Sequence, residues 1–242
     1  MVLRLSEHYT SVQGEGPRVG YPTQFVRFAG CNLRCAGWPC DTPHAIFPEK
    51  YRNEWEKITP EDLVERIDEQ YRVTGATRIC LTGAEPLLQP NKDLEELQFA
   101  FWKRDYQVEV FSNGTLPYPD WAPRIWNFIM DWKLGGSGEG AIAHDIRWKN
   151  LHLLSESHRW SDTAYQQAVK FVMKDELDFE EARLVYNDMT REGISIPTFY
   201  GRVWDSEWTD ADMIKLVLEH KLPWRLNIQT HQYIWPPNER RR

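Results

Sequence analysis

The 242-residue chain lacks any apolar run approaching the roughly 20 residues that span a bilayer, which argues against a membrane helix. Its first ten residues, MVLRLSEHYT, lack an apolar signal region and a small-residue cleavage site, so a cytoplasmic location is expected. Positive charge is also short. Lys and Arg number 29 against 36 Asp and Glu, and a net charge of −7 leaves no broad basic surface for nucleic-acid phosphates. The Arg240-Arg241-Arg242 tail reads as a short solvated stretch. Cysteine is scarce: of the four, Cys31, Cys35 and Cys40 fall within ten residues and Cys80 stands alone. That distribution suggests a metal site rather than a disulfide framework. The remainder is ordinary globular material, 41% apolar and 27% charged. A chain of this length buries roughly 70–75% of its unfolded surface and needs no staples, so a single domain over 1–242 is expected.

Strand-like apolar segments occur at 24–29, 78–81, 107–111, 126–130, 169–173, 194–199 and 225–228. Helical patterns fall at 60–72, 92–104, 178–191 and 210–220. In the first helix Thr59 suits the N-cap and Pro60 the first helical position, Leu63, Val64, Ile67 and Tyr71 share one face, and Gly75 ends it. The alternation of strand and helix predicts right-handed crossovers and a mostly parallel α/β sheet with its functional loops at the carboxyl ends of the strands. Helices are too few for an eight-fold barrel, since 112–124 is broken by proline and Gly135-Gly-Ser-Gly-Glu-Gly140 has no helical pattern. The expected architecture is therefore an incomplete, TIM-like barrel. The glycine-rich run lacks dinucleotide-binding spacing and reads as a mobile loop.

Cys31-Asn-Leu-Arg-Cys35-Ala-Gly-Trp-Pro-Cys40 follows a strand directly, in a loop punctuated by Gly30, Gly37 and Pro39. Two metal readings stand side by side. A structural zinc would take His44, four positions on, as a fourth ligand, making the chain a zinc-stabilised binding module. An iron-sulfur cluster held by three cysteines would leave one iron open to a small molecule, which is a catalytic arrangement. Cys80, within Arg-Ile-Cys-Leu, reads as a small buried hydrophobe.

Gly30-Cys31-Asn-Leu-Arg-Cys35 resembles the cluster loop of the radical S-adenosylmethionine superfamily, whose usual pattern is C-x3-C-x2-C. Here four residues, not two, separate Cys35 from Cys40. Thr82-Gly83-Ala84-Glu85-Pro86 resembles the superfamily's Gly-Gly-Glu-Pro motif with Ala in the second glycine position, and Ser112-Asn113-Gly114 its turn near the cofactor. Within the superfamily, Tyr9-Thr-Ser-Val-Gln13-Gly14-Glu15-Gly16, Phe25-Val-Arg27-Phe-Ala-Gly-Cys31, Cys40-Asp41-Thr42 and Leu226-Asn-Ile-Gln229-Thr-His231-Gln-Tyr-Ile-Trp235 closely resemble the 7-carboxy-7-deazaguanine synthase family.

That resemblance implies a 4Fe-4S cluster on Cys31, Cys35 and Cys40, S-adenosylmethionine as cofactor, and Mg2+ held by Thr42. It implies a lyase that makes a 5'-deoxyadenosyl radical, abstracts hydrogen from C6 of 6-carboxy-5,6,7,8-tetrahydropterin, contracts its ring and releases ammonia. Carried onto this chain, Trp38, Pro39, Asp41, Gly83, Glu85, Ser112, Asp131, Trp132 and Lys133 would meet the cofactor. Gln13, Gly14, Glu15, Arg27, Thr82 and His231 would meet the substrate, from a short N-terminal substrate-binding segment and a C-terminal closing segment. The guanidinium of Arg27 suits a carboxylate, Glu15 suits pterin N–H donors, and His231 suits a heterocycle. An electron-donating reductase such as a flavodoxin and a second copy in a homodimer are the implied partners. Another radical S-adenosylmethionine enzyme, of the activase type acting on a glycyl-radical protein, is the second reading within the superfamily.

Overall fold

The structure, a computed structural model, describes residues 2–160, 167–204 and 206–235; the arginine tail lies outside them. Nine strands, β1 (Leu3–Val12), β2 (Pro22–Phe28), β3 (Glu56–Ile58), β4 (Arg78–Gly83), β5 (Gln107–Ser112), β6 (Asn127–Trp132), β7 (Ala168–Met173), β8 (Thr198–Arg202) and β9 (Arg225–Leu226), form one sheet in the order β3-β1-β2-β4-β5-β6-β7-β8-β9. From β2 to β9 every neighbouring pair is parallel, and only β1, against β2 and β3, runs antiparallel. The end strands do not pair with each other, so the sheet stays open as a partial TIM-like barrel. The helices are α1 (Pro43–Ile46), α2 (Pro48–Tyr51), α3 (Pro60–Thr74), α4 (Asn91–Trp102), α5 (His144–Trp160), α6 (Glu176–Arg191), α7 (Asp210–Glu219) and α8 (His231–Ile234).

Local chemistry explains the boundaries. At α3 the Thr59 side chain accepts from the Asp62 amide, Pro60 takes the first turn where no N–H is needed, and Gly75 closes it at φ 69°. Leu63, Val64 and Ile67 are buried, whereas Tyr71 is 44% exposed and sits at the rim of that face. The strand expected at 194–199 lies instead at Thr198–Arg202. Pro197 has no N–H to give a ladder, so Ile194 and Ile196 are buried as core residues before the strand begins. β1, β3 and α5 are additions to the elements read from sequence.

Side chains alternate across each strand, and the two faces of the sheet differ sharply in chemistry. Ile79, Leu81, Val108, Val110, Phe128, Met130, Val169 and Phe171 join Leu63, Ile67, Leu94, Leu97, Leu151 and Leu154 of the helices in one apolar cluster. The positions between them, Arg27, Cys80, Thr82, Glu109, Asp131 and Lys170, point to the other, inner face.

Candidate active site

The cysteine loop leaves the carboxyl end of β2, the Thr82-to-Pro86 turn that of β4, Ser112-Asn113-Gly114 that of β5, and Asp131-Trp132-Lys133 that of β6. Parallel neighbours place these four segments together at one end of the sheet. Gly83 brings its turn close against β2. Its φ is 100°, and a Cβ there would lie 2.5 Å from the Phe28 carbonyl oxygen, so only glycine fits. The left-handed position is thus Gly83, and Ala84 is not among the described residues with positive φ, which accommodates the alanine in the motif. Glu85 is fully buried; its carboxylate accepts from the Leu87 amide (3.0 Å), the Ser112 hydroxyl (3.1 Å) and the Asn113 amide (2.8 Å). Burial raises its pKa to about 7, against those three donors. Glu85 and Ser112 therefore tie two of the four loops to each other.

None of the four cysteines is in a disulfide, and the loop thiols are half-buried. The Cys31 Sγ accepts from the Leu33 amide (3.3 Å) and lies 3.8 Å from the Asn113 Nδ2, while Cys40 Sγ is 3.6 Å from the Thr42 hydroxyl. Burial raises the Cys35 thiol to about 11, with the Lys133 ammonium pulling it back. The Nε2 of His44 is 3.1 Å from the Glu7 carboxylate, in a buried pair that holds it as a structural residue. Among the described residues no group of three or more His, Cys, Asp or Glu side chains is arranged around a single metal ion. Three cysteines on one short loop, with His44 engaged by Glu7, fit a cluster, in which each binds a different iron, better than a four-ligand zinc. Cys80 is buried in a small cluster with the stacked Tyr9 and Phe25, as a small hydrophobe would be.

The loop after β1 approaches differently. Because β1 runs antiparallel, this loop starts from the far end of the sheet and folds across the inner face, with Gly16 against Ile129 and Phe111. Gln13 is buried, and its amide donates to the Glu109 carboxylate rather than facing the mouth of the barrel. Glu15 accepts from the Lys170 ammonium (2.9 Å), Asn227 (3.2 Å) and Gln229 (2.9 Å). Burial pushes this carboxyl up, but the Lys170 charge and the amide of Gln229 more than reverse it and hold it at about 2. Lys170 also lies 3.8 Å from Asp131, which takes a 2.8 Å hydrogen bond from Lys133 and keeps its Oδ1 buried with no partner. Burial acts to lower the Lys170 pKa, and the two carboxylates overcome it and raise it.

Arg27 donates from Nε and Nη2 to the Tyr9 hydroxyl (3.1 and 2.8 Å) and lies 3.5 Å from Glu7. Thr82 is its neighbour across the β2–β4 ladder. Gln229 also donates to Asp41 (3.3 Å), so one side chain of the C-terminal segment bridges the first loop and the cysteine loop. The Thr230 amide donates to the Gly14 carbonyl (3.1 Å), and His231 at the start of α8 lies against Gly14. Thr42 donates to the Gly83 carbonyl (3.2 Å). Trp38, half-buried, and the exposed Pro39 stand in the extra span of the cysteine loop, while Trp132 turns to the helix side and packs under Arg147.

The structure thus gathers Gly14, Glu15, Asp41 and His231 directly, joins Asp131 and Lys133, and turns Gln13 and Trp132 away from the mouth. Lys170 and Glu109 are absent from the expected site residues, while Asn227 and Gln229 stood in the C-terminal motif without a role and prove to donate to Glu15. For Lys170 the signal was present: it is a lone charge in the otherwise apolar strand Ala-Val-Lys-Phe-Val-Met.

Residues 25–133 match the model of the radical SAM superfamily. A 7-carboxy-7-deazaguanine synthase from Methanospirillum hungatei is 33% identical over 238 residues, covering 97% of this chain and 86% of the relative. One from Leptospira interrogans is 32% identical, with 96% of each covered. The crystal structure of QueE from Escherichia coli superposes with a TM-score of 0.70 at 20% identity, over 95% of this chain and 94% of the other, and so shares the fold.

Proposed function

The chain belongs to the 7-carboxy-7-deazaguanine synthase family, and from that premise we propose that the mouth and inner face of its open barrel perform the family's reaction. The reaction is ring contraction of 6-carboxy-5,6,7,8-tetrahydropterin to 7-carboxy-7-deazaguanine with loss of ammonia, and the enzyme is a radical S-adenosylmethionine lyase. The observation that carries the reading is the placing of three free cysteines in the loop at the carboxyl end of β2, together with the Glu15–Lys170–Asp131 chain of paired side chains on the inner face.

Cys31, Cys35 and Cys40 would hold the cluster, and the chemistry that it and S-adenosylmethionine supply when bound is a one-electron reductive cleavage delivering a carbon radical. The rest falls to the chain itself. The Gly83-to-Pro86 turn and Ser112, locked by Glu85, shape the cofactor cradle with Asp41, Trp38, Pro39 and the Asp131–Lys133 pair, while Thr82, beside Arg27, meets the substrate. The buried Asp131 Oδ1 is an acceptor awaiting a donor. Arg27, oriented by Tyr9 and Glu7, binds the substrate carboxylate. Glu15, ionised by Lys170, accepts from the ring and amino N–H groups, and His231 hydrogen-bonds the heterocycle. The Thr42 hydroxyl keeps lone pairs for Mg2+ beside that carboxylate. The family supports an external one-electron donor of the flavodoxin kind, a homodimer and a cytoplasmic setting for one domain over 1–242. Among the described residues no helix is long and apolar enough to cross a membrane.

The test is anaerobic reconstitution with iron and sulfide, then incubation with dithionite, S-adenosylmethionine, Mg2+ and the carboxypterin, with products read by mass spectrometry. A brown protein that forms 5'-deoxyadenosine and the carboxydeazaguanine is expected. A colourless protein with stoichiometric zinc would refute the reading, and cofactor cleavage with the pterin untouched would remove its substrate.

A further inference from the structure

Two features of the sequence depart from what surrounds them: the extra two residues between Cys35 and Cys40, and the glycine-rich run 135–140. In the structure they touch. The Gly37 amide donates to the Ser137 carbonyl (3.0 Å), and a Cβ on Gly37 would fall 1.8 Å from the Gly136 carbonyl oxygen, so the two backbones meet with no room for a side chain. Glu139, in the same run, reaches back: its Oε1 accepts from the Arg34 amide (2.8 Å) and the Cys35 amide (3.2 Å). Between those amides and the next turn Cys35 stands at φ 42°, a left-handed conformation that a residue with a side chain keeps only where its surroundings over-determine it. Arg34 adds to the hold, donating from Nη1 to the Cys31 and Leu33 carbonyls (2.9 and 2.8 Å).

The glycine-rich run is itself anchored, contrary to its reading as a mobile loop. The amides of Gly135 and Gly136 donate to Glu181 (2.6 Å) and Asp178 (2.7 Å) of α6, and the fully buried Ser137 donates its hydroxyl to the Leu134 carbonyl (2.6 Å). Ser137 in turn accepts from the Glu139 amide (3.0 Å), which fixes where the Glu139 side chain starts. A continuous set of contacts therefore runs from α6 through the glycine-rich run to the backbone of a cluster ligand.

We propose that Glu139 is a positioning residue for the cluster: its carboxylate holds the backbone of Arg34 and Cys35, and with the Gly37–Gly136 contact it presents the enlarged Cys35–Cys40 span so that all three thiolates reach one cluster. The proposal rests on the reading that these three cysteines are the ligands. Glu139 touches neither cofactor nor substrate in this role; it acts through Cys35. The glycine-rich run is then the counterpart that makes the longer spacing workable.

The experiment compares reconstituted wild type, Glu139→Gln, Glu139→Ala and Gly37→Ala for iron and sulfide per chain, for the EPR spectrum of the reduced cluster with and without S-adenosylmethionine, and for the rate of iron loss to a chelator. Melting of each apo-protein separates folding from cluster retention. Glu139→Gln keeps an acceptor oxygen and is expected to stay close to wild type, while Glu139→Ala loses iron about tenfold faster, the worth of roughly one hydrogen bond, at an unchanged apo melting temperature. Gly37→Ala is expected to lose iron faster still and to broaden the EPR spectrum. Wild-type iron retention and EPR in Glu139→Ala would overturn the proposal, as would equal loss in the Gln and Ala variants. Wild type that takes up no iron would instead overturn the ligand reading beneath it.

Discussion

The two faces of the sheet are built from the same strands, one residue out of phase, and they do opposite things. On the helix side Ile79, Leu81, Val110, Phe128, Val169 and Phe171 are almost wholly buried in a continuous apolar core. On the inner side Glu7, Glu109 and Lys170 are 3%, 2% and 7% exposed, yet they are ionisable and paired across long stretches of chain. Burial of charge is costly unless each group is held by partners. The helix face supplies the stability from which the inner face can carry that cost. A one-residue register slip in any strand would exchange the two chemistries, which is why the parallel ladder must be strictly kept.

The largest expected effect on folding belongs to the helix face. Phe171→Ala should lower unfolding free energy by about 3–5 kcal/mol through lost burial and a cavity against Trp224, while turnover per folded molecule stays near wild type. Urea unfolding beside kinetics on the folded fraction reads both, and a variant of normal stability with lost turnover would break the division between faces. A pH experiment sharpens it from the inner side. Burial raises the Glu109 carboxyl from 4.5 to about 7, so between those values the folded protein keeps a proton that the unfolded chain has released, and stability falls as pH rises through that window. Glu109→Gln, which cannot ionise, should be more stable than wild type at pH 8 by an amount on the order of 1–3 kcal/mol, with little difference near pH 4. Unfolding curves for the two proteins that stay parallel from pH 4 to 8 would contradict the assignment. Glu15 has the opposite sign: its carboxyl is held at about 2, so the stability it contributes is present above 4.5 and lost as pH falls toward 2. The smallest effect lies outside both faces, at the exposed Arg66–Glu56 pair, where Arg66→Ala should change stability by about 1 kcal/mol or less in the same urea titration.

The helix face was largely legible in the sequence because its strands are apolar runs and α3 is punctuated by Thr59, Pro60 and Gly75. The inner face was harder to read for physical reasons. In β1 the pairing register shifts between Leu5 and Glu7, which breaks the two-residue alternation that marks a strand, and its inner positions carry Glu7 and Tyr9. In α5 the buried stripe contains Arg147, Asn150 and Ser155 beside Leu151 and Leu154, so its period is hidden from an apolar count. The cysteine loop and the motifs after β4 and β5 were visible because their chemistry lies in side-chain identity and short spacing. The docking of 135–140 on that loop was not, because it runs through backbone amides and the absence of side chains at Gly37 and Gly136. Gln13 stood in a matched motif, but only the antiparallel approach of its loop shows that its amide turns down to Glu109.

The most direct test of the division between faces is kcat/KM for the carboxypterin, per folded and fully reconstituted molecule, in Lys170→Met. The side chain is similar in length and loses the ammonium that keeps Glu15 ionised, donates to it and joins it to Asp131. A fall of about 100-fold is expected, the value of one buried charge-assisted contact, with iron content near wild type and a lowered melting temperature, because Glu15 loses its cation; counting only folded molecules keeps that loss out of the rate. Wild-type kcat/KM in that variant would contradict the claim that the inner face carries the chemistry.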